Sequence, residues 1–228
     1  MLAPLTLALL LQATPGQTYA ANYKLLKTDL KAAGVTFEAP MKMLVPAAGA
    51  DKLTIGKKTV SFTLYASNPA GSLDDLKLKY PFTPTVTVLR PSSPLAITAT
   101  TRSEVSKALF DRLKLIFKQK STAQLTKTLT QLTNEGTLTM DKSIGKADYY
   151  TAVINLKWVE NGKTKNSQEA LAFIIAVKPN TVLFASVTSN SGWPSAMPKK
   201  NGMNEKEYAT AAGLILARFM KSLRFTKP

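Results

Sequence analysis

Three stretches of the chain carry apolar residues on a period near 3.6, and most of the remainder alternates on a period of two. Residues 22–33 place Leu25, Leu26, Leu30 and Ala33 at helical spacing ahead of Gly34, which predicts a first short helix with a glycine C-cap. Residues 35–40 then alternate like a strand stopped by Pro40, with residues 41–45 as its continuation after the kink. Val60, Phe62 and Leu64 mark one face of a strand over residues 58–66, and Ser67-Asn68-Pro69-Ala70-Gly71-Ser72 follows as a loop. Residues 83–89 alternate again, with Val86 and Val88 inward.

The second helical stretch opens at Thr101, whose hydroxyl and Glu104 make a capping-box pattern, and continues through Val105, Leu109, Leu113, Ile116 and Phe117. Its polar side bears Lys107, Arg112, Lys114, Lys118 and Lys120. Residues 121–133 read both ways: Leu125, Leu129 and Leu132 keep helical spacing, while the threonines at 122, 126, 128, 130 and 133 suit a strand. From Thr137 onward the pattern is β, with strands over residues 149–159 and 169–177. Asn161-Gly162 lies between them, the dipeptide preferred where a two-residue hairpin turn needs positive φ twice. A third antiparallel strand, residues 182–188, follows the Lys178-Pro179-Asn180 turn. A long loop around Trp193 leads to Asn204 and Glu207, which cap a terminal helix with Tyr208, Ala211, Ala212, Ile215 and Phe219 on one face. The order predicts an α+β fold: an antiparallel sheet with helices packed on its faces.

The first twenty residues stand apart from this pattern. They contain no charged side chain, run apolar from Leu2 to Leu11 and break at Thr14-Pro15-Gly16. That run is too short to span a bilayer, and Thr18-Tyr19-Ala20 places small residues at the third and first positions before a cut. The sequence therefore predicts a signal peptide over residues 1–20, cleaved after Ala20, and a single domain over residues 21–228 that is periplasmic or secreted. No later apolar stretch approaches the length of a membrane helix.

Composition narrows the chemistry. The chain has neither His nor Cys, which removes disulfides, thiol and triad catalysis, the usual zinc, copper and haem ligands, and the lipobox thiol of a diacyl anchor. No phosphate-binding glycine loop, nucleophile elbow or calcium loop occurs, so no cofactor and no enzymatic activity is expected. Ser143-Ile144-Gly145-Lys146 matches the S-x-x-K spacing of serine acyl enzymes, but Gly145 argues against the helix that chemistry needs, and no companion motif follows. An enzyme using Lys or carboxylate chemistry would fall back on Lys146 with Tyr149 or Tyr150. The net charge is +16, and cations outnumber anions throughout residues 21–228 without forming an arm. Such a field suits an anionic envelope component; nucleic acid is disfavoured, because no recognition motif organises the charges and export removes that partner.

One resemblance spans most of residues 34–226. Gly34-Val35-Thr36-Phe37-Glu38-Ala39-Pro40, a central helix from Ser103, Gly145-Lys146-Ala147-Asp148-Tyr149-Tyr150 leading into a hairpin, and Met220-Lys221-Ser222-Leu223-Arg224-Phe225 closing the last helix together resemble the PsbP-like fold. That group includes the photosystem II protein PsbP, the Ran-binding Mog proteins and bacterial envelope proteins resembling DcrB and LpqN. The resemblance implies a sheet sandwiched between helices and a non-enzymatic accessory role. The chain departs from the group in lacking the lipobox Cys of the bacterial lipoproteins and a His for any metal site, and in being basic, unlike the Mog proteins. No functional residue carries over.

The expected function is that of an exported accessory or binding protein that holds an anionic envelope component or a protein partner. Its candidate contact surface combines Lys107, Lys114 and Lys118 on the central helix with Trp193, Lys199 and Lys200 in the long loop, where an aromatic would contribute area and the lysines attraction. The alternatives are the Lys or carboxylate enzyme and a structural module whose partner docks on an open sheet edge, which would need an uncharged, unpaired edge strand.

Overall fold

A computed structural model describes residues 13–71, 75–76, 79–119, 121–122, 124–190 and 202–226. Its first element, helix α1 (Pro15–Asn22), starts at the Thr14-Pro15-Gly16 break. The Thr14 hydroxyl accepts from the Gln17 N–H, the Gln17 side chain accepts from the Thr14 N–H, and Pro15 lacks an N–H that the first turn would leave unpaired anyway. The Ala20–Ala21 bond, where the sequence places the end of a leader, lies inside this helix.

The helix expected over residues 22–33 does not form. Leu26–Leu30 is strand β1, Lys31–Ala33 a single 3-10 turn, and Val35–Ala39 strand β2, paired antiparallel with β1 from Leu30↔Val35 to Leu26↔Ala39. Gly34 does end a helical turn in the left-handed region, with φ 61°, but the turn joins two strands. Four leucine and alanine positions cannot distinguish the two states locally; the cross-strand ladder outweighs helix propensity.

The remaining elements are β3 (Met43–Leu44), β4 (Gly49–Ile55), β5 (Lys58–Pro69), β6 (Phe82–Pro91), helix α2 (Ala99–Gln119), β7 (Leu125–Thr139), β8 (Lys146–Glu160), β9 (Lys163–Lys178), β10 (Thr181–Ser189), helix α3 (Glu205–Ser222) and β11 (Arg224–Phe225). The large sheet runs β3-β5-β6-β10-β9-β8-β7 with β4 also on β5, and β1-β2-β11 form a small one; every pairing is antiparallel. Strand β5 runs on through Ser67-Asn68-Pro69, expected as loop, because Asn68 and Pro69 pair with β3. Residues 125–133 are strand: their threonines alternate on an edge that pairs with β8. Asn161 and Gly162 both have positive φ, 51° and 74°, as the β8–β9 turn requires. Helix α2 starts at Ala99 rather than Thr101, because the Thr98 hydroxyl accepts from the Thr101 N–H, and Glu104 lies instead against the Gly56 turn between β4 and β5.

Both faces of the large sheet are covered. On one, Val86, Val88, Leu183, Ala185 and Val187 pack with Tyr208, Ala211, Ile215 and Phe219 of α3 and with Ala20 of α1. On the other, Phe173, Ile175, Val182 and Phe184 pack with Val105, Leu109 and Phe110 of α2. Successive side chains of β10 therefore enter different cores, which explains its unbroken apolar run Val182-Leu183-Phe184-Ala185. The protein is α+β, with helices on both faces of an antiparallel sheet. Among the described residues no helix is long and apolar enough to cross a membrane.

Candidate functional site

Helix α2 touches β4 at one side of the sheet and β7 at the other, so the sheet curls round it. The middle strands beneath the helix present short polar side chains on this face: Thr83, Thr85 and Thr87 from β6, with Ser186 and Thr188 from β10. The register sets Thr85 opposite Ser186 and Thr83 opposite Thr188. These side chains are too short to reach the helix, and a cavity of about 550 Å³ remains between helix and sheet. On the opposite face the same two strands carry Val86, Val88, Leu183 and Val187, which pack into the core under α3.

The cavity has an apolar roof and a polar floor. Leu113, Ile116 and Phe117 of α2 overhang it, and Leu64, Leu156 and Leu171 continue the apolar wall from the sheet. In the floor, the Thr85 and Ser186 hydroxyls are 2.6 Å apart, and the buried Asn190 accepts from the Thr83 hydroxyl at 3.2 Å while its amide donates to the Tyr80 carbonyl at 2.9 Å. Lys127, Glu169, Arg112 and Asp51 also line it; the Arg112 guanidinium is 3.1 Å from the Asp51 carboxylate and about half exposed. One cation here is thus held by a carboxylate partner, and Lys127 lies half-buried on the edge strand.

The residues nominated from sequence lie elsewhere. Lys107, Lys114 and Lys118 are exposed on the outer side of α2, Lys114 donating to Asp111 at 3.1 Å and sitting 4.7 Å from the Phe110 ring centre. Trp193, Lys199 and Lys200 fall outside the described residues. Tyr149 and Tyr150 point to opposite faces of β8. Tyr150 stacks on Phe173 at 5.3 Å between ring centres, whereas Tyr149 is partly buried on the α3 side, where burial and then Glu135 raise its pKa. Lys146 is exposed at the start of β8. Ser143 sits in a turn, its N–H donating to Asp141 and its hydroxyl accepting from the Phe225 N–H.

Sequence reasoning missed the cavity, although a signal was present. In Thr83-Pro84-Thr85-Val86-Thr87-Val88 the threonines alternate with valines as strictly as a solvent-facing row, in a strand that lies mid-sheet under a helix. Only the pairing with β10 tells that this polar row is enclosed.

A second, more polar cleft of about 390 Å³ lies on the α3 side, lined by Lys27 of β1, Thr36, Phe37 and Glu38 of β2, Arg218, Lys221 and Ser222 of α3, and Arg224 of β11. Arg218 donates to the carbonyls of Ala20 and Tyr23 at the end of α1, and Arg224 is 4.0 Å from Asp141. Four cations thus surround one carboxylate. The β7 edge bears only Lys127 and Glu135 in fifteen residues, but its ladder shifts register between Thr130 and Thr133 and again between Asn134 and Gly136, with Gln131 at φ 54°. Such bulges spoil an edge for strand addition.

No family model matches the chain, and no curated protein does. Among solved structures it is similar to the extracellular domain of PknH from Mycobacterium tuberculosis, at 9% identity and a TM-score of 0.31 over 92% of this chain and 94% of that one.

Proposed function

We propose that this is an exported, non-catalytic binding protein of the cell envelope whose ligand is an anionic single-chain amphiphile, its tail under α2 and its acidic head at Arg112 and Lys127. The observation that carries this reading is the cavity: its volume falls in the range of small-molecule sites, its roof is apolar over a floor of hydroxyls, and cations line it beside that roof. A carboxylate or phosphate head would take over the role Asp51 plays towards Arg112. The charge of +16 raises the local concentration of any such ligand near the surface.

Titration with a dansyl-labelled fatty acid tests it. Wild-type protein binds saturably, Leu113→Trp fills the roof and weakens binding at least about tenfold, and Arg112→Gln weakens it by a similar factor. Asp51→Asn, which frees the guanidinium, leaves affinity equal or higher. Absence of saturable binding, or an unchanged Leu113→Trp titration, removes the reading.

A second reading uses the basic cleft on the α3 side, where four cations face one carboxylate. Here an anionic envelope component docks on the outer surface, and Lys27→Gln with Lys221→Gln lowers sedimentation with anionic vesicles while leaving the fatty-acid titration unchanged. Kinship with the PsbP-like group, as an accessory protein without catalysis, belongs to the same proposal and is supported by the sheet with helices on both faces.

A further inference from the structure

An exported chain loses its leader, and the structure restricts where that cut leaves an intact domain. Helix α1 belongs to the fold. Ala20 is 1% exposed in the core beneath α3, and Tyr19 and Tyr23 pack against the same cluster with their rings 5.8 Å apart. The Gly16 N–H donates to the Glu207 carboxylate at 2.7 Å, so a side chain in the first turn of α3 serves the N-terminus of α1. The approach is so close that a Cβ on Gly16 would lie 2.5 Å from the Glu207 carbonyl oxygen, which explains glycine at this position. At the other end of α1, Arg218 donates to the carbonyls of Ala20, Ala21 and Tyr23. Two charged residues of α3 are thus spent on the two ends of one short helix.

A cut after Ala20 would discard Pro15 to Ala20, strip the core of a buried side chain, and leave Glu207 without the Gly16 N–H. We propose that the leader peptidase cuts between Ala13 and Thr14 instead, so that Thr14 becomes the first residue of the mature protein and the cap of α1. Ala13 supplies the small residue before the bond, and the apolar run from Leu2 to Leu11 ends two residues before the cut; Leu11 at the third position is larger than the residue the site prefers. Pro15 stands clear of the scissile bond. The capping box survives, since the Thr14 hydroxyl still accepts from Gln17 and the new terminal amine still donates to the Gln17 side chain. The proposal rests on the export reading, and its test separates the two.

The full chain is expressed in an export-competent bacterium, and the intact mass and N-terminal sequence of the exported form are measured. The expected mature protein begins at Thr14. A start at Ala21 overturns the inference and leaves export standing, whereas an uncut chain confined to the cytosol overturns both. Ala13→Arg is expected to stop processing; cutting at the wild-type rate overturns the assignment. Independently of export, residues 14–228 and 21–228 are produced without a leader and melted. The shorter chain should fail to fold or melt at least about 5 °C lower, and equal melting temperatures overturn the claim that the mature domain needs α1.

Discussion

Phe219 has no exposed surface, and its ring lies 6.1 Å from that of Phe37 and 5.8 Å from that of Phe82, tying α3 to the small sheet and the large one at once. Phe219→Ala should therefore destabilise the protein by about 3–5 kcal/mol through lost burial and the cavity left behind, measured by chemical denaturation. A loss below about 1 kcal/mol would mean that the aromatic trio carries little of the core. Tyr23 makes a pH-dependent contribution. Burial first, and then the phenols of Tyr19 and Tyr80, raise its pKa above the ordinary tyrosine value. An unfolded tyrosine ionises near about 10. Stability from this group is complete below that pH and falls as pH rises towards the folded-state value, because the unfolded chain releases the proton first. Denaturation at pH 9 and pH 11 should show a smaller alkaline loss in Tyr23→Phe than in wild type; equal losses would place the effect on other groups.

At the scale of elements, the best-read parts of the sequence were those whose local chemistry and tertiary setting agree. Asn204 caps α3 by accepting from the Glu207 N–H at 3.0 Å, as the Asn-x-x-Glu spacing suggests, and Asn204→Ala should cost about 1 kcal/mol in thermal or chemical unfolding. Helix α2 separates its residues as its period requires: Val105 and Leu109 are buried while Lys107, Lys114 and Lys118 are exposed. Replacing those three lysines by Gln should change stability by less than about 1 kcal/mol. Binding to anionic vesicles should weaken by about 1 kcal/mol for each Lys that meets the surface. An unaltered vesicle affinity would reduce the stripe to a solvated face. Elements were misread where local pattern and partner disagree. Leu26, Leu30 and Ala33 satisfy a helix, yet β1 exists because β2 lies beside it, and β4 went unread because its Gly-Ala-Asp-Lys start has little strand propensity until it pairs with β5.

At the scale of the molecule, a sheet covered on both faces and curled round α2 leaves a cavity beneath that helix and a core of aliphatic and aromatic side chains beneath α3. Its charge of +16 acts over the whole surface, so association with anionic vesicles should fall steeply between ionic strengths of about 0.01 M and about 0.15 M, as the screening length shrinks from about 30 Å to about 8 Å. Co-sedimentation checks this. Salt-independent binding would point to the cavity rather than the field.

The sequence alone determined what depends on near neighbours and on counting: the strands β2, β5, β6, β8, β9 and β10, the Asn161-Gly162 turn, the cap of α3, the inward row of α2, and the chemistry closed to a chain without His or Cys. Tertiary structure decided whatever depends on which strand lies beside which. The threonines of β6 read as a surface row until Ser186 and Thr188 of β10 stand opposite them under a helix. Arg112 was one lysine-like charge among five until β4 brought Asp51 to it. That residues 15–22 form a helix held at its two ends by Glu207 and Arg218, about two hundred residues away, is visible only in the fold. Periodicity records how a side chain points relative to its own backbone; it carries no record of what that side chain meets, and a binding site is made of such meetings.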